Sequence, residues 1–143
     1  MLEEFLERQV TAPIYGKGWV DLMIDVDRDT SGKEINTRYK GKRSGGLPWV
    51  VIVGPDGVEL LSSNAQTGDK NDGKNVGSPV SDWECAWFVE MLRRTKGEKV
   101  TEAEVQKVAA DLEAFLGGTA SAFAAWLWQR MDEVRGAPGW GLG

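Results

Sequence analysis

The order of apolar and polar residues predicts a helix, a loop and a strand in the first quarter of the chain. Residues 2–6 place their apolar side chains on one helical face, which predicts a short N-terminal helix. Residues 11–18, TAPIYGKG, contain one proline and two glycines, and such residues indicate a loop. Residues 19–27, WVDLMIDVD, alternate with period two, which predicts a strand with one buried face that ends in an acidic turn.

The middle of the chain predicts a short helix, a β-hairpin and a long loop. Ile35 and Tyr39 have the i, i+4 spacing of a helix over residues 31–39. Residues 48–63, PWVVIVGPDGVELLSS, read as two strands joined at residues 54–57, where proline and glycine favour a tight turn. The next stretch is rich in glycine and asparagine and predicts a surface loop over residues 64–79.

Helices are predicted for most of the remaining chain. Ser81 with Glu84, and Thr101 with Glu104, both have the spacing of a capping box, so a helix is expected to begin at each pair. The second of these helices should end at the glycine pair 117–118. A further helix is predicted over residues 119–135, followed by a tail.

Pro48 stands directly before the apolar run of residues 49–53, although proline has no amide hydrogen to donate to a sheet. The stretch GGLPWVVIVGPDG, residues 45–57, resembles the element of the thioredoxin family in which a cis-proline precedes the first strand of the C-terminal hairpin. The order of predicted elements is also similar to that family from about residue 1 to residue 95. The resemblance implies that the Leu47–Pro48 bond is cis and that Leu47, Pro48 and Trp49 form an edge that binds an extended polypeptide. The alternative is a trans proline at the edge of the sheet.

The fold expected from this resemblance is α/β and thioredoxin-like, with a truncated three-layer core of sheet and helices and a C-terminal helical extension. The thioredoxin-like domain would cover residues 1–98. The C-terminal helical extension would cover residues 99–136, and a flexible tail would cover residues 137–143. The family's redox motif, W-C-x-x-C, is missing, since the chain has only one cysteine. MLEEFLE at residues 1–7 resembles the helix that continues after that motif. The central strand before that motif is missing too, so the sheet is expected to be completed by closure, by the chain's own tail or by another chain, and we favour assembly.

Composition removes much of the usual catalytic chemistry. The chain has 143 residues, a net charge of −5, one cysteine and no histidine, which excludes histidine-based triads, internal disulfides and His-ligated metals. Cys85 lies within an amphipathic pattern and is expected to be a small buried side chain. We therefore assign no catalytic residue, no cofactor and no metal.

The pattern of charges does not indicate a nucleic-acid or membrane partner. The acidic balance disfavours binding to phosphates, and residues 38–43, RYKGKR, are expected to form a solvated face. Asp25, Asp27 and Asp29 alternate as in a calcium loop, but the glycine and the twelfth residue do not fit, so an acidic turn is expected. The N-terminus has neither the charge nor the apolar run of a signal peptide, and no apolar run is long enough to span a membrane, so a soluble, cytoplasmic chain is expected.

Seven tryptophans are an unusual number for this length. Four of them, Trp19, Trp49, Trp83 and Trp87, are expected in buried or half-buried places. Trp126 and Trp128 point about 200° apart on a helix, so one of them should be available to a partner. With Trp140 they form a possible interface; the alternative is an aromatic tail with no partner.

Two functions are consistent with the sequence. The first is a redox-inactive, thioredoxin-like binding or structural protein that acts through protein–protein contacts, as a homo-oligomer or as a subunit of a complex. The second is a fragment of a thiol-disulfide oxidoreductase whose CxxC-containing N-terminus is missing from this chain. The DNA upstream of Met1 distinguishes them, because an in-frame strand followed by CxxC would restore the enzyme.

Overall fold

The computed structural model describes residues 2–117, which combine helices with a small antiparallel sheet. The elements in chain order are α1 (Leu2–Leu6), α2 (Thr11–Gly18), α3 (Gly32–Tyr39), β1 (Val51–Val53), β2 (Glu59–Ser62), α4 (Asp82–Thr95) and α5 (Glu102–Leu116). No helix in this part of the chain is long and apolar enough to cross a membrane. The predicted helix over residues 119–135 and the predicted tail lie outside the described residues.

The predicted capping boxes of α4 and α5 are confirmed. The amide of Ser81 donates to the Glu84 carboxylate at 3.1 Å, and its hydroxyl donates to the same oxygen at 2.7 Å. At α5, the amide of Thr101 donates to Glu104 at 3.1 Å and the amide of Glu104 donates back to the Thr101 hydroxyl at 3.1 Å. These contacts satisfy amides that the first turn of a helix cannot pair internally, which explains why both helices begin where the sequence predicts.

The larger of two hydrophobic clusters joins α1 and α2 to α4 and α5. Its members are each less than one tenth exposed. All four helices contribute to it, among others with Phe5, Ile14, Phe88, Val105 and Leu112. The ring of Phe5 packs edge-on against Phe88 with centroids 6.1 Å apart. Because α5 contributes much of this cluster, it belongs to the same core as the helices before it.

A second cluster lies between the hairpin and α4. In the antiparallel pairing of β1 and β2, Ile52 faces Leu61, and a bulge follows between Ile52 and Val53. Leu61 packs with Trp87 and Met91 of α4. The helix α4 therefore contacts both clusters and connects the sheet to the helical part of the fold.

The prediction of a loop over residues 11–18 is wrong, because these residues form α2. Pro13 is the third residue of this helix, where a missing amide costs no intrahelical hydrogen bond. Ile14 and Thr11 are buried. Tertiary burial of this face outweighs the low helix propensity of Gly16 and Gly18.

The prediction of a strand over residues 19–27 is also wrong. Residues 19–25 belong to no helix or strand, and Val20 and Leu22 are 96% and 83% exposed. Period-two alternation shows that a segment can form a strand, but a strand also needs a neighbour to pair with. Within the described residues the sheet has two strands and no such neighbour, so the expected three-layer core is not formed there.

The acidic stretch after this segment forms a turn, as predicted. The Asp25 carboxylate accepts hydrogen bonds from the amides of Asp27 at 3.0 Å and Arg28 at 2.9 Å, and the Asp29 carboxylate accepts from the amide of Asp25 at 2.7 Å. No group of three or more potential metal-ligating side chains occurs in residues 2–117. The carboxylates of Asp25 and Asp29 thus stabilise the turn itself.

Candidate functional site

The segment before β1 makes an exposed turn at Leu47 and Pro48. The Leu47–Pro48 peptide bond is cis. Leu47 is 65% exposed, Pro48 is exposed and Trp49 is half-buried. The structure thus presents the first two of the three predicted binding residues at the surface, while Trp49 leads into the sheet.

Asn75, from the long loop after the hairpin, holds this turn on both sides of Leu47. Its side-chain amide donates to the carbonyl of Gly46 at 2.9 Å and to the carbonyl of Pro48 at 3.0 Å. The Asn75 oxygen in turn accepts a hydrogen bond from the Ser63 hydroxyl at 2.6 Å. One side chain therefore fixes the two carbonyls that flank Leu47.

Asn64 performs a similar function for the beginning and the end of the same turn. Its oxygen accepts a hydrogen bond from the indole of Trp49 at 2.7 Å, and its amide donates to the carbonyls of Ser44 at 3.1 Å and Gly73 at 3.0 Å. Asn64 and Asn75 also face each other in an antiparallel β-bridge. The bridge places both amide side chains beside residues 44–50.

Two glycines allow the loop and the turn to approach this closely. A Cβ atom at Gly77 would lie 1.7 Å from the carbonyl oxygen of Pro48, which no side chain could accommodate. Gly45 has φ +98°, a conformation that favours glycine, and a Cβ atom there would lie 2.3 Å from that of Asn75. The tight contact between residues 44–50 and residues 64–79 thus depends on glycine at both positions.

Arg43 anchors the turn from its other end. Its guanidinium lies 4.9 Å from the centre of the Trp49 ring, forms an ion pair with Glu59 and donates to the Ser62 hydroxyl at 3.2 Å. The hydrogen bond from Arg43 lowers the pKa of Glu59, an effect that outweighs the opposing effect of burial. The prediction that residues 38–43 form only a solvated face is therefore wrong for Arg43, and sequence reasoning missed its role.

The backbone of Leu47 is left open by these contacts. Among residues 2–117, neither its amide nor its carbonyl makes a hydrogen bond, while the carbonyls on both sides are paired with Asn75. An exposed residue with a free donor and a free acceptor can pair with one residue of an extended peptide. The arrangement can therefore pair with the backbone of an extended peptide at Leu47.

Cys85 does not supply a reactive thiol. It is 3% exposed, and burial, together with the negative charges of Asp82, Glu84 and Glu113, raises the pKa of its thiol to about 12. The thiolate is the nucleophile in disulfide exchange, so a buried neutral thiol is unreactive. The position agrees with the small buried side chain expected from the sequence.

The other predicted tryptophans divide into two groups. Trp87 is buried, and Trp19, Trp49 and Trp83 are half-buried, as expected. The possible interface of Trp126, Trp128 and Trp140 lies outside the described residues. Two further residues that sequence reasoning missed, Asn64 and Asn75, lie in a loop whose composition indicates only exposure.

Comparisons of this chain with protein-family models, with curated proteins and with solved structures find no match.

Proposed function

We propose that this chain is a redox-inactive, thioredoxin-like binding protein that recognises an extended polypeptide at the Leu47–Pro48 turn. The observation that carries the proposal is the pairing of Asn75 with the carbonyls of Gly46 and Pro48, which leaves the backbone of Leu47 open and preorganised. Preorganisation lowers the entropic cost of binding, since the turn does not have to be ordered by the ligand. The buried state of Cys85 supports the absence of thiol exchange.

The test compares two asparagine variants in the same loop. Asn75→Ala removes both of its hydrogen bonds to the turn, whereas Asn71→Ala removes a hydrogen bond from Lys74 and none of the hydrogen bonds to the turn. Linear peptides selected from a display library on the wild-type chain should bind Asn75→Ala at least about tenfold more weakly, a loss of about 1.4 kcal/mol, and should bind Asn71→Ala normally. Equal binding to both variants would contradict recognition at this turn.

Activity is tested separately with the reduction of insulin disulfides by dithiothreitol. The wild-type chain should not accelerate the reaction, because Cys85 is buried and has no second cysteine as a resolving partner. Acceleration that disappears in Cys85→Ser would contradict the redox-inactive assignment.

A second function is favoured by the open segment at residues 20–24. In a fragment of a thiol-disulfide oxidoreductase, a missing strand that carries the CxxC motif would pair with this segment, whose residues Val20 and Leu22 are exposed. The coding DNA upstream of Met1 tests this alternative. An in-frame strand followed by CxxC supports it, and its absence from that DNA contradicts it.

A further inference from the structure

Residues 20–24, VDLMI, form a mostly apolar segment between α2 and the acidic turn, in which Ile24 is half-buried and the other four residues are exposed. Val20, Leu22 and Met23 are 96%, 83% and 70% exposed. Within the part of the chain that the structure describes, none of the five residues makes a backbone hydrogen bond. Exposed apolar side chains and unpaired backbone groups together are the features through which an open strand binds another strand.

Both ends of this segment are held by the fold. The amide of Trp19 donates to the carbonyl of Tyr15 at 3.0 Å, and the Trp19 indole donates to the Thr95 hydroxyl at 3.0 Å. At the other end, the amide of Asp25 donates to the Asp29 carboxylate at 2.7 Å. These contacts fix the two ends of the segment, which lowers the conformational entropy that it loses when it binds a partner strand.

We propose that the partner is a second copy of this chain, and that residues 20–24 of two protomers pair antiparallel around a two-fold axis at Leu22. In this register Leu22 faces Leu22, and Val20 faces Ile24 on the same side of the new ribbon. Asp21 faces Met23 on the opposite side. No aspartate lies directly opposite another aspartate, and one face is entirely apolar.

The neighbouring symmetric registers are less favourable. A two-fold axis at Asp21 would place two aspartates directly opposite each other, and an axis at Met23 would place Asp21 opposite Asp25, so both bring like charges together. An axis between two residues would put apolar side chains of one protomer on the same face as the aspartates of the other, because side chains alternate with period two. Self-complementarity thus selects Leu22 as the centre and favours a second copy as the partner.

A two-strand contact is small compared with the roughly 800 Å² per partner of a standard interface. We therefore expect a dissociation constant on the order of micromolar. Each chain also carries a net charge of −5, and the repulsion between two such chains is screened by salt. Dimerisation should accordingly become stronger as the concentration of sodium chloride rises.

The test uses opposite charges at the proposed axis. Leu22→Lys and Leu22→Glu should each be monomeric in sedimentation equilibrium at concentrations where the wild-type chain is a dimer, because each places two like charges opposite each other. An equimolar mixture of the two variants should dimerise again, since lysine then faces glutamate. Val80→Lys and Val80→Glu serve as matched controls, because Val80 is an apolar residue that is 65% exposed and lies outside the segment. Both should dimerise like the wild type.

Circular dichroism of all four variants should match the wild type, because both positions are exposed. A monomeric wild-type chain at about 100 µM would overturn the proposal, whether the segment is free or pairs with another protein. A dimer that persists in both Leu22 variants would place the interface elsewhere and would overturn it too. Failure of the mixed variants to dimerise would exclude the axis at Leu22.

Discussion

The guanidinium of Arg8 and the carboxylate of Asp111 form a bidentate ion pair, although the two residues are 103 positions apart in the sequence. Arg8 lies between α1 and α2, and its Nε and Nη2 atoms approach the Asp111 oxygens at 3.1 and 3.0 Å. The buried Thr11 hydroxyl donates to the same carboxylate at 2.8 Å. One side chain of α5 thus holds the beginning of α2 and the connection that precedes it.

Replacing Asp111 by alanine should lower the free energy of unfolding by about 1–3 kcal/mol, because the buried Thr11 hydroxyl loses its acceptor. Urea denaturation followed by circular dichroism measures this loss. Glu7→Ala, the same class of change at an exposed position, should have little effect. Adding Thr11→Val to Asp111→Ala should recover part of the loss, and no recovery would contradict the explanation.

Stability should fall in acid in a manner that depends on Asp111. Burial raises the pKa of this carboxyl, but the hydrogen bonds from Arg8 and Thr11 outweigh it, so the pKa lies below the ordinary value. The unfolded chain therefore takes up the proton first, and the stabilisation by ionised Asp111 is complete above about pH 4 and is lost as pH falls further. The difference in urea midpoint between wild type and Asp111→Asn should shrink over that range. A difference independent of pH would contradict this.

The short helix α1 should depend on Phe5. Its side chain is fully buried and contacts the rings of Phe88 and Phe115. Phe5→Ala should reduce the free energy of unfolding by about 3–5 kcal/mol, because it removes an aromatic side chain and leaves a cavity. Thermal and urea unfolding measure the loss, with Val10→Ala at a half-exposed position as the control. A loss below about 1 kcal/mol would show that α1 is not part of the cooperative core.

The turn at Leu47 should become mobile when Asn75 is replaced. Asn75→Ala removes the donors to Gly46 and Pro48, so amide hydrogen exchange over residues 44–50 should become faster while exchange in α4 is unchanged. Asn75→Asp should be at least as disruptive, because its carboxylate would face two carbonyl oxygens. Unchanged exchange in both variants would mean that the turn is held by other contacts.

Cys85 should be unreactive in the folded chain. With a thiol pKa of about 12, the thiolate fraction at about pH 8 is on the order of 10⁻⁴, even before access is considered. An aromatic disulfide reagent should therefore modify it only after unfolding in concentrated guanidinium chloride. Rapid modification of the native chain at a rate typical of free cysteine would contradict the buried position.

Much of the secondary structure could be predicted because its signals are local. The two capping boxes identify the starts of α4 and α5, and the turn at residues 54–57 identifies the hairpin. Each of these signals lies within four neighbouring residues, so the surrounding fold is not needed to interpret it.

The predictions that were wrong concern segments whose structure depends on distant residues. The helix α2 forms because its buried face packs against distant residues, and residues 20–24 remain outside the sheet because no neighbouring strand pairs with them in the described part of the chain. Both outcomes depend on partners that local propensity does not reveal. The same holds for the contacts of Arg43.

The sequence by itself determined the positions of α3, β1, β2, α4 and α5 and the buried Cys85. Only the tertiary structure decided that Asn64 and Asn75 hold the turn around Leu47. A side-chain amide can pair with any carbonyl that the fold brings within about 3 Å, and residues 44–50 are brought there by a loop that follows the whole hairpin. The partner of a polar side chain is therefore set by the path of the chain in space and not by the residues beside it.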